Sequence, residues 1–119
     1  MGFSADTISM PGYSLDWVHT VSCTATLSFT GTTANCGTVV IGATGTTRIT
    51  ATMTLHRVNA DGSLTRLNGW SHAVNGATLV MAETHTVTSG HTYRVTVNAS
   101  VTRNGETEHV SNSIERRLG

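Results

Sequence analysis

The sequence predicts an all-β domain, and three observations carry that prediction. Apolar and hydroxylated residues alternate with period two over most of residues 19–119, the pairs Asp61-Gly62, Asn75-Gly76 and Asn104-Gly105 punctuate the alternation, and no stretch shows helical periodicity. Thr and Ser supply 23 and 11 of the 119 residues. Thr is β-branched and wettable, which suits the solvent face of a strand.

Each element follows from its own pattern. Val21, Cys23, Ala25, Leu27 and Phe29 alternate with Ser22, Thr24, Thr26, Ser28 and Thr30, a first strand with one dry and one wet face. Thr30-Gly31-Thr32-Thr33 reads as a turn, Ala34–Ile41 as a second strand, and Gly42-Ala43-Thr44-Gly45 as a loop. The third strand turns Ile49, Ala51, Met53 and Leu55 inward and Thr50, Thr52, Thr54 and His56 outward. Asn59-Ala60-Asp61-Gly62 is a hairpin turn into a fourth strand, Ser63–Ser71. A fifth strand spans Ala77–Val87, a sixth Tyr93–Thr102 and a seventh Thr107–Glu115. Ser89-Gly90 runs directly into the alternation that Tyr93 opens, which places the tyrosine to bond its hydroxyl back across the corner before the sixth strand. Seven strands with hairpin-type links and such a corner make a seven-stranded antiparallel β-sandwich, immunoglobulin-like or fibronectin-III-like. The expected core is Val21, Ala25, Leu27, Val40, Ile49, Met53, Leu55, Tyr93, Val95, Val97, Val101, Val110 and Ile114.

The chain divides into an N-terminal arm, residues 1–18, and a sandwich domain, residues 19–119. The arm carries the single proline, Pro11, and the aromatics Phe3, Tyr13 and Trp17. Two readings of it are open: a segment that packs on its own domain and closes one end of the core, or one that adds to the sheet edge of a neighbouring copy.

Composition excludes several function classes. Charged residues are 12% of the chain, and seven acidic side chains balance seven basic ones. Such a surface has no electrostatic footprint for nucleic acid or anionic lipid. There is no Lys and no Gln, which excludes the Lys–Asn isopeptide and Cys–Gln thioester cross-links of many Gram-positive adhesins. No apolar run approaches membrane-spanning length, and no basic-then-apolar leader opens the chain, so an exported form is expected to have lost its signal peptide.

Candidate chemistry is sparse. Cys23 and Cys36 share inward parity on the first two strands. Facing them across the hairpin allows a disulfide but puts Phe29 at the tip; a tip at Gly31-Thr32 pairs Cys23 with Val40 and leaves two buried thiols. Both arrangements stay open, since a bridge needs Cα atoms within about 7 Å. The six histidines, His19, His56, His72, His85, His91 and His109, stand singly, without zinc spacing. His56 and His109 approach each other if the third and seventh strands are neighbours. No nucleophile elbow, phosphate loop or catalytic carboxylate pair is present, and Glu106 and Glu108 read as a solvated edge that discourages aggregation. No catalytic residue, metal or cofactor is expected. Asn98-Ala99-Ser100 fits the glycosylation sequon but lies mid-strand and reads as chance. Tyr13 and Trp17 are the one pair placed to stack on a sugar. The rows Thr50-x-Thr52-x-Thr54 and Thr84-x-Thr86-x-Thr88 repeat a hydroxyl every ~6.8 Å, as ice-binding arrays do, but a sandwich sheet twists and ice needs a flat array.

The stretches Tyr13-Ser14-Leu15-Asp16-Trp17, Thr33-Ala34-Asn35-Cys36, Ile49–Leu55 with Trp70 after it, Gly90-His91-Thr92-Tyr93-Arg94 and Gly105-Glu106-Thr107-Glu108 together resemble a family of small secreted proteins of unknown function from gut-dwelling, Gram-positive Firmicutes. The resemblance implies a β-sandwich, export, and work at or outside the cell surface. The chain also looks like the immunoglobulin-like modules of surface fibres and phage virions, which bind, space or assemble. The expected function is that of a secreted or cell-surface, non-enzymatic structural or adhesive protein. Its expected partners are copies of itself, with the arm pairing to a neighbour in a fibre, or a surface or host molecule. The alternative is a monomeric glycan-binding module using Tyr13 and Trp17.

Overall fold

The computed structural model describes residues 18–119. They form seven strands: β1 (Thr20–Thr30), β2 (Thr33–Gly42), β3 (Thr46–Val58), β4 (Leu64–Val74), β5 (Thr78–Thr86), β6 (His91–Arg103) and β7 (Glu106–Leu118). Two sheets, β1-β2-β5 and β4-β3-β6-β7, hold them, and all paired strands are antiparallel. This is the predicted β-sandwich. The fourth strand lies beside β3 rather than β5, which makes the arrangement fibronectin-III-like. The short Asn59–Gly62 loop explains the choice: Asn59 N–H donates to the Ser63 carbonyl at 2.8 Å, closing a tight hairpin that keeps β4 on its predecessor. The β6–β7 hairpin is tighter still. Arg103 pairs with Glu106 across Asn104-Gly105, whose φ values of 55° and 78° are what a two-residue turn of this hand requires.

β3 and β6 form the middle of the larger sheet, and their inward residues are the most deeply buried. Ile49, Met53 and Leu55 face Val95, Val97 and Val101 within the sheet, all without solvent contact. Cys23, Leu27, Val40, Leu79 and Met81 close the core from the other sheet. Buried hydroxyls are satisfied locally: Thr38 Oγ1 donates to the Thr24 carbonyl at 2.6 Å, and Thr46 Oγ1 to that of Ala43 at 2.7 Å.

Three expectations need correction. Val21 is 51% exposed, because a bulge between Thr20 and Ser22 inserts an extra residue into β1 and turns it out of the core. Ala25 and Ile114 are only partly buried. His56 and His109 do not meet, because β6 lies between β3 and β7 and the two histidines stand in different cross-strand rows.

At the β5–β6 corner Tyr93 is 1% exposed. Its hydroxyl donates to the Thr88 carbonyl at 2.7 Å and accepts the Thr88 N–H at 3.1 Å. Its ring meets that of Phe29 at a centroid distance of 5.8 Å, so one side chain ties both sheets and the connecting corner together. Tyr93→Phe keeps the packing and orphans both Thr88 backbone groups. It is expected to cost about 1–3 kcal/mol in urea unfolding with an unchanged m-value.

Candidate functional site

The outward residues of the larger sheet form cross-strand rows. From β4 to β7 these are Ala73/Thr50/Ser100/His109, Ser71/Thr52/Asn98/Ser111, Gly69/Thr54/Thr96/Ser113 and Arg66/His56/Arg94/Glu115. The first two rows line a trough of about 680 Å³. Its side chains are small and uncharged, and several are bonded to one another: Ser100 Oγ lies 2.9 Å from His109 Nδ1, and Thr52 Oγ1 3.3 Å from Ser71 Oγ. Ser100 and His109 make the first half of a nucleophile–base pair. Among the described residues no carboxylate hydrogen-bonds the His109 ring, and Ser100 sits mid-strand rather than on a sharp turn, so the pair lacks an orienting acid. What the trough can do is hydrogen-bond a neutral, polyhydroxylated surface.

The fourth row is different in kind. Arg94 forks onto Glu115 through Nε at 2.6 Å and through Nη2. The Arg66 guanidinium lies over Gly69, where a Cβ would stand 3.2 Å from its Cζ, so the absence of a side chain there is what lets it approach the backbone so closely. Burial, reinforced by the Arg66 and Arg94 charges, pushes the His56 imidazole below its ordinary range and favours its neutral form.

The smaller sheet presents the rows Ser22/Ile41/Thr78, Thr24/Val39/Val80, Thr26/Gly37/Ala82, Ser28/Asn35/Thr84 and Thr30/Thr33/Thr86, none of which holds a charge. Val80 is 61% and Ile41 36% exposed, at the end where the bulge turns Val21 out. The threonines considered for ice binding fall on two different faces, Thr50, Thr52 and Thr54 on β3 and Thr84 and Thr86 on β5, in opposite sheets. They do not share one plane.

At the start of β1 the chain is held by a side chain of β7. The Glu108 carboxylate accepts the Val18 N–H at 2.7 Å and the His19 N–H at 3.0 Å, while His19 Nε2 lies 3.8 Å from Glu106 Oε1. Burial alone would raise the Glu108 carboxyl, but the Val18 amide, the Thr20 hydroxyl and the amide and ring of His19 together outweigh it and hold the group below the ordinary carboxylate range. Further along β7, Asn112 Nδ2 donates to the Cys23 carbonyl at 2.9 Å. Glu108 is therefore not only the solvated edge residue expected from sequence; its inward parity on β7, opposite the chain entering β1, was the available signal.

Tyr13 and Trp17 lie outside the described residues, immediately before this clamp. Cys23 pairs in register with Val40 and Cys36 with Leu27, so the cysteines stand four positions apart along the hairpin, about 13 Å. Both are free and buried, and burial pushes each thiol up to about 11, with the Glu83 carboxylate adding to the effect at Cys36. They are core packing rather than nucleophiles at neutral pH. Among the described residues no group of three or more His, Cys, Asp or Glu side chains is placed to hold a metal ion, and no helix is long and apolar enough to cross a membrane.

No family model matches the chain. No curated protein matches it either. Among solved structures it is similar to the solution structure of CsgH from R. palustris, at 13% identity over 75% of this chain and 87% of that one, with a TM-score of 0.47. At that distance function has to be read from this chain's own side chains.

The clamp gives a signed pH dependence. A carboxyl held below its unfolded value contributes stability that is complete above the ordinary carboxylate range and is lost as the pH falls through the folded value. Glu108→Gln should flatten the acid side of the Tm profile and speed hydrogen exchange at the Val18 and His19 amides roughly tenfold, leaving the β3 and β6 amides unchanged by NMR.

Proposed function

We propose that this chain is an exported, non-enzymatic structural or adhesive module that assembles by placing residues 1–18 on a neighbouring copy. The observation that carries the reading is the Glu108 clamp. Two backbone amides bonded to one carboxylate fix where the segment bearing Phe3, Tyr13, Leu15 and Trp17 leaves the sandwich, at the β1–β7 side of one end. Asn112 occupies the Cys23 carbonyl on that same side, so the β1 edge is already partly capped by its own domain. An arm delivered there is placed to reach outward to a second molecule and add to its sheet edge. The uncharged face of the smaller sheet suits close approach of copies, since it sets no like charges against each other. Export and surface work rest on the likeness to secreted Gram-positive proteins drawn from the sequence motifs.

The test is light scattering after size separation across a concentration series, with electron microscopy of the largest species. The full chain is expected to grow into rods or rings, and removal of residues 1–17 to leave a monomer with an unchanged far-UV spectrum. Assembly that survives the removal would exclude the arm as the link.

A second reading, a monomeric glycan-binding module, is favoured by the hydroxyl-lined trough. There Asn98, Ser100, His109 and Thr52 converge on a neutral surface suited to sugar hydroxyls. On a glycan array this reading expects binding that falls at least roughly tenfold in Asn98→Ala/His109→Ala, a loss of two hydrogen bonds. Signal that depends instead on Trp17 would move the site to the arm, and no signal from a monomeric protein would remove the reading.

A further inference from the structure

The charges of this chain are sorted along its length, and the sorting gives the assembly a direction. The described residues measure 46 × 27 × 19 Å, with the strands along the long axis. Five of the seven arginines, Arg57, Arg66, Arg94, Arg116 and Arg117, lie at the end where β3, β7 and β4 respectively finish, finish and begin, against three carboxylates, Asp61, Glu83 and Glu115. The opposite end holds Arg48 and Arg103 against Glu106 and Glu108, so it is neutral in itself. It is also where the chain enters β1, preceded by a segment whose charged side chains are Asp6 and Asp16 and no basic residue. Both arginines of that neutral end are engaged, Arg48 on Asn75 Oδ1 at 2.8 Å and Arg103 on the Thr44 carbonyl at 2.8 Å. The Glu106 side chain is 80% exposed. At the arginine end, by contrast, neither Arg66 nor Arg116 has a hydrogen bond or ion pair among the described residues.

We infer that copies of this chain join head to tail, the acidic, aromatic entry segment and Glu106 of one copy docking on the arginine end of the next, at Arg66 in the Arg66/His56/Arg94/Glu115 row and at Arg116, which stands in the neighbouring Tyr93 row and projects from the other face at the same end. The inference rests on the assembly reading above and names its receiving surface. The chemistry matches on two counts. Carboxylates are what unpaired guanidinium groups take as partners, and the exposed Arg66 guanidinium beside Gly69 is also a cation of the kind on which the Tyr13 or Trp17 ring can stack. His56, whose neutral form is favoured, adds little repulsion between the arginines, and the one anion of the row, Glu115, is taken up by Arg94, which leaves Arg66 for an incoming carboxylate.

For the part of the segment next to Val18, distance decides between the chain's own arginine end and a neighbour's. Asp16 and Trp17 lie within two residues of Val18, a reach of about 7 Å. The arginine row is seven β3 residues from Ile49, which shares the cross-strand row of Val101 and Glu108, a separation of about 24 Å. Asp16 therefore meets such a row only on another molecule. The two surfaces are different patches of one chain, so the contact is heterologous and continues into rings or filaments rather than closing as a two-fold dimer.

A charge-swap experiment on the full chain tests this. One variant carries Asp16→Arg with Glu106→Arg, the other Arg66→Glu with Arg116→Glu. Each alone should need roughly tenfold more protein for half-assembly in light scattering at low salt, and an equimolar mixture should recover to within about threefold of the unaltered chain. Recovery in the mixture also shows that both variants are folded. Variants that assemble as the unaltered chain does, or that fail alone and fail when mixed, would overturn head-to-tail pairing while leaving arm-driven assembly standing. An unaltered chain that stays monomeric at every concentration would remove both.

Discussion

The pairing of β3 with β6 is the constraint on which the rest of the molecule depends. These two strands are the interior pair of the larger sheet, and their inward residues alternate without interruption between Ile49 and Leu55 and between Tyr93 and Val101. A one-residue slip would bring Thr50, Thr52, Thr54, Thr96 and Asn98 into the core and turn valines to water, so the register is strongly specified. Their outward residues are consequently a ladder of hydroxyls and amides. The trough and the arginine row on the same face are thus products of one register, differing only in where the alternation meets Thr and Ser and where it meets Arg and His.

Tyr93 transmits that register to the other sheet. It begins the inward series of β6, holds the corner through Thr88 and packs on Phe29 of β1. Among the described residues the opposite end of the sandwich has no equivalent aromatic tie. There the join is polar, made by Glu108 on the Val18 and His19 amides and by Asn112 on the Cys23 carbonyl. An aromatic tie has no group that titrates in the acid range, whereas a carboxylate on backbone amides does. The end from which residues 1–17 depart is therefore the end whose attachment responds to solution conditions.

Local information in the sequence reached as far as local physics does. Period-two alternation located all seven strands, and Asn104-Gly105 and Asp61-Gly62 marked their hairpins because those residue pairs have few other uses. The β1–β2 tip at Gly31-Thr32 also stated what the cysteines would face, one of the two registers open at that stage. What escaped was set by partners distant in sequence. The bulge that turns Val21 outward changes parity without changing composition. The place of β4 beside β3, and of β6 between β3 and β7, depends on how sheets close, which separated His56 from His109 and brought His109 onto Ser100. Glu108 read as an edge charge because its role is defined by amides some ninety residues away.

The scarcity of charge gives the remaining charges their meaning. Edge strands of soluble sandwiches are commonly guarded by lysines, and this chain has none. Its larger sheet carries an excess of arginine at one end and a balanced set, Arg48 and Arg103 with Glu106 and Glu108, at the other, while β5 carries a single half-buried Glu83 on its inward side. Threonine supplies solubility over the rest without supplying repulsion, since a hydroxyl satisfied by water is equally satisfied by a neighbouring chain. A domain built in this way keeps its faces wettable yet compatible with close contact, and leaves orientation to the few groups that carry charge. In the head-to-tail assembly proposed above, arginines gathered at one end and carboxylates leading into the other would attract two copies end to end and repel like ends, so polarity would be established before any specific contact forms.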